Sequence, residues 1–327
     1  MSSASTTDSL TPAPDSFEPT ARSFEPATDH VVTPVLAITY ERYGDPGGIP
    51  VVLLHGFPYD VRAYDAVAAS LAAGGGFDVY VPFLRGFGTT QFLSDSDPRS
   101  GQQGALAQDL LDFIDALRLD RPIVAGYDWG GRAACVVAAL WPGRVRGLVS
   151  VDGYNIQDIA HAAMEPTKPE WEATYWYQYY FHSERGRHGL ERNREELCEL
   201  LWRMWSPEWE AAASEFPRSA ASLHNPAFVD VVIHSYRHRY GLAEGDPRYQ
   251  EIEDRLTATP TIGVPTVVLE PDADGVGGAG FEESGDRGKF TGLFELRHLP
   301  GIGHNVPQEA PEAFADAVRL LAGDSTG

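Results

Sequence analysis

The chain has 327 residues, with 47 Asp and Glu against 25 Lys and Arg; a formal net charge of −22 argues against nucleic acid, whose phosphates need cationic partners. Hydrophobic residues at 43% suffice for one large α/β domain with an insertion, rather than two independent domains. No apolar run reaches the length of a membrane span, and the two cysteines, Cys135 and Cys198, form no CxxC pair or disulfide framework.

Residues 1–30, rich in Ser, Thr and Pro, read as a disordered tail. They lack the charged and apolar regions of a signal peptide, so with unpaired cysteines the expected compartment is the cytoplasm. From Val31 to Asp152, strand-like runs (VLAITYERYG, VVLLHG, FDVYVPFL, PIVAGY, GLVSVDGY) alternate with helical patterns. One of these helices sets Leu106, Leu110, Phe113, Ile114 and Leu117 on a single face. Such an order predicts a mostly parallel sheet with helices on both sides. Residues 153–245 are helical in pattern and dense in aromatics, and read as a lid over the carboxyl ends of the strands, where α/β sheets bind ligands. Within this block Ser206-Pro207 predicts an N-cap followed by proline at the first helical position. Over 246–327 the core resumes, with strands at PTVVLE and LFELRHL and a closing helix, APEAFADAVRLLAG. The intervening GVGGAG lacks the GK[ST] ending of a phosphate loop.

Gly126-Tyr127-Asp128-Trp129-Gly130 lies between a buried strand and a helix, the setting of the G-x-S-x-G nucleophile turn with aspartate in the serine's place. An aspartate that merely caps the helix is the plainer alternative, but the companions follow in the order nucleophile, acid, histidine. Asp274 falls just past a strand, and His304 lies in the turn PGIGHNVP. Asp272 and Asp152 are the competing acids, and His298, inside a strand, is the competing histidine. A carboxylate with an ordinary pKa of about 3.9 is already ionised and needs no base to attack. Attack on saturated carbon gives a stable alkyl ester. His304, oriented by Asp274, then deprotonates a water that attacks the ester. Backbone N–H groups of Phe57 and Trp129 are expected to hold the developing oxyanion.

His55-Gly56-Phe57-Pro58, Arg85-Gly86-Phe87-Gly88, the Asp128 turn through Gly131, and Gly303-His304-Asn305 together resemble the soluble epoxide hydrolases of the α/β-hydrolase fold. The resemblance covers the chain from Val31 to Ala322 and implies two lid tyrosines that donate hydrogen bonds to the epoxide oxygen. Tyr177, in YQYYFHSERG, and Tyr236, before Arg237, fit those patterns, although His182 departs from the first and Tyr179 or Tyr180 could substitute for Tyr177. Trp129, Trp176 and Phe57 are expected to line the substrate cavity. The implied partners are a small hydrophobic epoxide and water, with no cofactor, metal, nucleic acid or membrane; oligomeric state stays open, a homodimer being one option.

Haloalkane and haloacetate dehalogenases share the aspartate mechanism and form the main rival. Trp129 could donate to a leaving halide, with Trp176 as a second donor, and Arg132 resembles an arginine of the haloacetate enzymes. A ligand-binding protein on a hydrolase scaffold is a further alternative. His234 and His238 stand at i and i+4 without the glutamate or third ligand of a metal motif. Arg85 is expected to anchor its loop through a carboxylate, and His55 to brace the oxyanion loop.

Overall fold

The runs Val51–Leu54, Ile123–Gly126 and Gly147–Val151 are buried residue after residue, which a strand achieves only where helices cover both faces of its sheet. The computed structural model describes residues 26–277 and 281–323. Its strands are β1 (Ala27–Val32), β2 (Leu36–Gly44), β3 (Ile49–Leu54), β4 (Phe77–Pro82), β5 (Gln91–Phe92), β6 (Ile123–Gly126), β7 (Gly147–Val151), β8 (Thr266–Pro271) and β9 (Phe294–Leu299). They form a 9-stranded sheet in the order β1-β2-β4-β3-β6-β7-β8-β9, with β5 also on β2. Pairing is antiparallel at β1–β2 and β2–β4 and parallel from β4 through β9.

Two features depart from the sequence reading. Strand β1 begins at Ala27, inside the segment expected to be tail, in register with β2 from Ala27↔Arg42 to Val32↔Ala37. Its side chains are mostly exposed, so backbone pairing rather than an apolar pattern specifies it; the rest of the expected tail, residues 1–25, lies outside the described residues. The second departure is Ser206-Pro207, which starts no helix and instead ends one, as described below.

Helices α1 (Asp65–Gly74), α2 (Gln103–Ala116) and α3 (Asp128–Leu140) connect the first strands. The insertion between β7 and β8 carries α4 (Ile159–Ala162), α5 (Pro169–Thr174), α6 (Trp176–His182), α7 (Glu184–Arg192), α8 (Arg194–Trp205), α9 (Ala212–Ala220), α10 (Phe228–His238) and α11 (Gln250–Leu256). After β8 come α12 (Phe281–Ser284), α13 (Val306–Glu309) and α14 (Pro311–Ala322). Helix α1 packs on α14, and α2 on α3, giving the two covering layers. On the predicted face of α2, Leu106, Leu110, Phe113 and Ile114 are buried. No described helix is long and apolar enough to cross a membrane.

The chain leaves β3 for β4 on one side and returns to β6 on the other, so β3 and β6 flank the switch point where a crevice opens at their carboxyl ends. The loop after β3 supplies Phe57, and the turn after β6 supplies Asp128. Phe57 is buried against Tyr177 of α6, Trp205 of α8 and both Phe228 and Tyr236 of α10. The helical insertion therefore sits directly over the strand ends. Trp202 fastens it there, donating from its indole to the Pro58 carbonyl at 3.0 Å.

Ser206 follows the last turn of α8, and the next helix begins only at Ala212. Its hydroxyl donates to Glu309 Oε1 at 2.7 Å instead of accepting from a following N–H. A tertiary carboxylate has displaced the local capping role.

Candidate active site

Strand β6 feeds α3 through an extended Tyr127 and then Asp128 at φ +50°. A left-handed conformation costs a residue with a Cβ roughly 1–2 kcal/mol, and it lifts the Asp128 carboxylate out of the turn. Close approach elsewhere makes the turn possible: a Cβ on Gly130 would fall 2.0 Å from the Leu54 carbonyl oxygen, and one on Gly56 would fall 2.5 Å from Asp128 Cβ. Asp128 Oδ1 accepts from the Phe57 N–H at 2.7 Å. The loop that carries this donor is held by His55, whose Nε2 accepts from Leu84 N at 3.0 Å and whose Nδ1 therefore donates to the Gly56 carbonyl at 2.9 Å. Burial lowers His55 to about 4, keeping it neutral in this bracing role. Arg85 pairs with Asp109 through two hydrogen bonds of 2.6 and 2.7 Å, as its sequence position implied.

Past β8, Asp274 Oδ1 accepts from the N–H groups of Val276 and Gly277 at 2.8 and 3.0 Å, and Oδ2 lies 2.7 Å from His304 Nδ1. The described half of the glycine run thus cradles a carboxylate; Gly278–Gly280 lie outside the described residues. Although burial opposes the charge on Asp274, His304 and these N–H donors outweigh it and hold the carboxyl below its ordinary range. Burial also opposes a charge on His304, but Asp274 foremost, with Asp128 and Asp152, raises it to about 9. His304 Nε2 stands 3.9 Å from Asp128 Oδ2 and has no hydrogen-bond partner among the described residues.

The competing residues are placed elsewhere or differently. Asp272 Oδ1 accepts from Gly301 N at 2.6 Å, bracing the turn after β9. His298 is 62% exposed and pairs with Glu270 at 2.7 Å. Asp152, at φ +59°, joins the cluster, its carboxylate lying within 4.8 Å of the ligand atoms of Asp274 and His304. Desolvation and the Asp274 charge push Asp152 well above the usual carboxylate range. His234 and His238 stack at 5.6 Å, yet both nitrogens of His234 are engaged by backbone, Nδ1 with Gly101 N and Nε2 with the Glu244 carbonyl.

On the insertion side, Tyr177 and Tyr236 are 3% and 0% exposed, with ring centroids 5.3 Å apart. Both rings pack on Phe57, and Tyr236 also lies 6.0 Å from Trp129. Tyr177 Oη accepts from Gln178 Nε2 at 2.9 Å, and Gln178 Oε1 accepts from Tyr240 Oη at 3.2 Å. That relay supplies the Tyr177 hydroxyl with a donor and leaves its own proton to be given. Tyr236 Oη has no partner among the described residues. Burial raises both phenols well above their ordinary range, keeping them neutral donors. Tyr179 is 38% exposed and bonds Glu172 outward, while Tyr180 packs against Trp176 and Phe181, so neither substitutes for Tyr177.

Trp176 is half-buried and has Tyr177 and Tyr180 as its ring neighbours. The second tryptophan beside Phe57 is instead Trp205, 6.1 Å from that ring and 5.1 Å from both His304 and Tyr177. Its carbonyl also accepts from the N–H groups of Gly275 and His304. Trp205, Gln178 and Glu309, which accepts from Gly303 N and Asn305 N on either side of His304, were not singled out by sequence. The aromatic density near Trp205 was the one signal available.

A family model of the alpha/beta hydrolase fold matches residues 49–222. A solved structure of a candidate epoxide hydrolase from Klebsiella pneumoniae subsp. pneumoniae MGH 78578 is 43% identical, covering 90% of this chain and 96% of that one with a TM-score of 0.87. The chain belongs to the α/β-hydrolase family. Within it, the chain is an epoxide hydrolase-like hydrolase. Epoxide hydrolase 2 of Siraitia grosvenorii is 33% identical over 107 residues, 32% of each chain. The haloalkane dehalogenase of Mycobacterium marinum is 34% identical over 130 residues, 39% of this chain and 41% of its own. These curated relatives are thus matched over only about a third to two fifths of their length.

Proposed function

We propose that the chain hydrolyses an epoxide to a vicinal diol, with residues 153–245 acting as the lid. The observation that carries this reading is the convergence of Tyr177 and Tyr236, from separate helices, on the Phe57 ring beside Asp128. Asp128 Oδ2 attacks a ring carbon, because Oδ1 is held by the Phe57 N–H. The carbon–oxygen bond breaks as a tyrosine hydroxyl gives its proton to the leaving oxygen, which leaves an alkyl ester and a hydroxyl. His304 Nε2 then takes a proton from water, whose oxygen adds to Asp128 Cγ; the oxyanion forms at Oδ1, where Phe57 N–H already donates. Collapse expels the second diol oxygen, which takes the proton back from His304, and the acid left on Asp128 ionises as the tyrosinate is reprotonated, so the diol leaves and carboxylate, imidazole and phenol are all restored.

Replacing His304 with alanine is expected to leave alkylation intact and stop hydrolysis, so that mass spectrometry finds a substrate-sized adduct on Asp128. An unmodified Asp128 after incubation with reactive epoxides would exclude the ester mechanism. Phenylalanine at both 177 and 236 should slow ring opening by about 100-fold or more; a rate near wild type removes the tyrosines from the chemistry.

One observation favours a second reading, dehalogenation. The indole N–H groups of Trp129 and Trp205 are buried without hydrogen-bond partners among the described residues, and both rings pack on Phe57. Two such donors suit a leaving halide. Assaying diol formation from epoxides beside halide release from haloalkanes and haloacids separates the two.

A further inference from the structure

The His304 ring makes one hydrogen bond among the described residues, from Nδ1 to Asp274, and its Nε2 is left to face Asp128. The aim of Nε2 therefore depends on the loop that carries the ring. That loop and the loop of Asp274 both meet the end of α8, an element of the insertion. The Trp205 carbonyl accepts from Gly275 N at 2.9 Å and from His304 N at 3.2 Å, so one peptide oxygen ties the acid's loop to the histidine's. Ser206 is 2% exposed, and its hydroxyl donates to Glu309 Oε1 at 2.7 Å. The same carboxylate accepts from Gly303 N at 2.7 Å and Asn305 N at 3.1 Å, the residues on either side of His304.

The approach is close enough to need glycine in both loops. A Cβ on Gly275 would fall 2.0 Å from the Met204 carbonyl oxygen, and one on Gly303 would fall 2.6 Å from Ser206 Cα. The Trp205 ring closes the arrangement, its centre 5.1 Å from that of the imidazole. A brace serving stability alone could grip any part of these loops. Here the gripped N–H groups belong to His304, to its two neighbours and to the residue after Asp274. A buried N–H left without an acceptor is costly, so a damaged clamp shifts the histidine's loop instead of leaving it in place. Asp128 attacks without a base, whereas water adds to the ester only when Nε2 is correctly aimed.

We propose that Ser206 and Glu309 are positioning residues that aim His304 at the hydrolytic water, so that the seat of α8 on the two loops governs ester hydrolysis and not alkylation. This rests on the two-step reading, in which His304 acts as a base only after Asp128 is alkylated.

The test uses the full chain and its Ser206→Ala, Ser206→Thr and Glu309→Gln variants; the last sets an amide donor against a backbone donor. Quenched-flow mass spectrometry with styrene oxide reads the formation and the decay of the Asp128 adduct separately. Ser206→Ala and Glu309→Gln should slow decay about 10- to 100-fold, the cost of misplacing a reacting group by about 1 Å, and leave formation near its wild-type rate. Adduct should then accumulate, and Ser206→Thr, which keeps the hydroxyl, should restore its decay. A second measurement needs no substrate: the downfield proton NMR signal of His304 Nδ1–H, assigned by its loss in His304→Gln. That signal should shift or broaden in Ser206→Ala and Glu309→Gln and recover in Ser206→Thr. Adduct decay and signal both unchanged in Ser206→Ala and Glu309→Gln would overturn the positioning role. So would formation and decay slowing together as the melting temperature falls, the mark of a purely structural clamp. If styrene oxide is not opened but 1-bromobutane alkylates Asp128, the epoxide reading fails while the same two rates decide the clamp. If neither reagent marks Asp128, the ester mechanism fails, and the NMR signal alone decides whether Ser206 and Glu309 aim the ring.

Discussion

His304 faces the Asp274 and Asp128 carboxylates, which stabilise its charged form, and the two proposed steps make opposite demands on it. Attack by Asp128 needs no neutral imidazole, whereas activation of water does. With the ring raised to about 9 in the free protein, it is protonated at neutral pH until Asp128 is alkylated. Esterification removes one of the charges that raise it, so the imidazole becomes more acidic when its base form is needed. Quenched reactions at pH 6 should therefore accumulate the Asp128 adduct, and reactions at pH 9 should not; equal adduct at both pH values would remove this control. Stability should follow the same titration. Since the folded value lies above an unfolded value of about 6.5, the contribution is complete below about pH 6.5 and disappears as pH rises through about 9. Its size is of the order of 1–3 kcal/mol. Urea unfolding at pH 6.5 and 9.5 should show that loss in the wild type and a smaller one in His304→Gln.

The loop between β4 and α2 shows what an element needs before it can position a site. Arg85 is 1% exposed and ties the loop to α2 through Asp109 and to its own far end through the Ser100 carbonyl. Arg85→Ala strands Asp109 without its partner, and urea unfolding should show a loss of about 3–5 kcal/mol. The Arg85→Met, Asp109→Leu pair should recover most of it; no recovery would mean that the Ser100 contact, not the ion pair, is what matters. Elements of this kind also explain what could be read beforehand. Asp128, Asp274 and His304 were legible because each sits at a strand end whose local pattern fixes its direction. Tyr177 could be placed in the correct turn, but only the packing of α6 on α10 turns it inward and Tyr179 outward. Trp205 reaches Phe57 and His304 through the crossing of insertion helices, which no periodicity encodes. The Ser206-Pro207 signal failed because Glu309, more than a hundred residues on, claimed the serine. Strand β1 was missed because an exposed edge strand carries no alternating pattern.

Across the whole molecule, a net charge of −22 spreads over a surface where cations such as Arg42, Arg62, Arg218 and Arg248 are already paired with neighbouring acids. Self-repulsion of the excess carboxylates destabilises the folded state, and salt screens it, the Debye length falling from about 30 Å at 0.01 M to about 8 Å at 0.15 M. Salt also weakens the exposed ion pairs, but each of those contributes only about 0–1 kcal/mol. The long-range repulsion should therefore win, and the melting temperature at pH 8 should rise over that interval of salt. Near pH 5, partial protonation of the 47 acidic residues shrinks the net charge, so the same salt step should raise it less. Calorimetry at the two pH values decides between the terms. A melting temperature that falls with salt at pH 8 would mean that networks such as Arg62 with Glu41 and Asp65 outweigh the net repulsion.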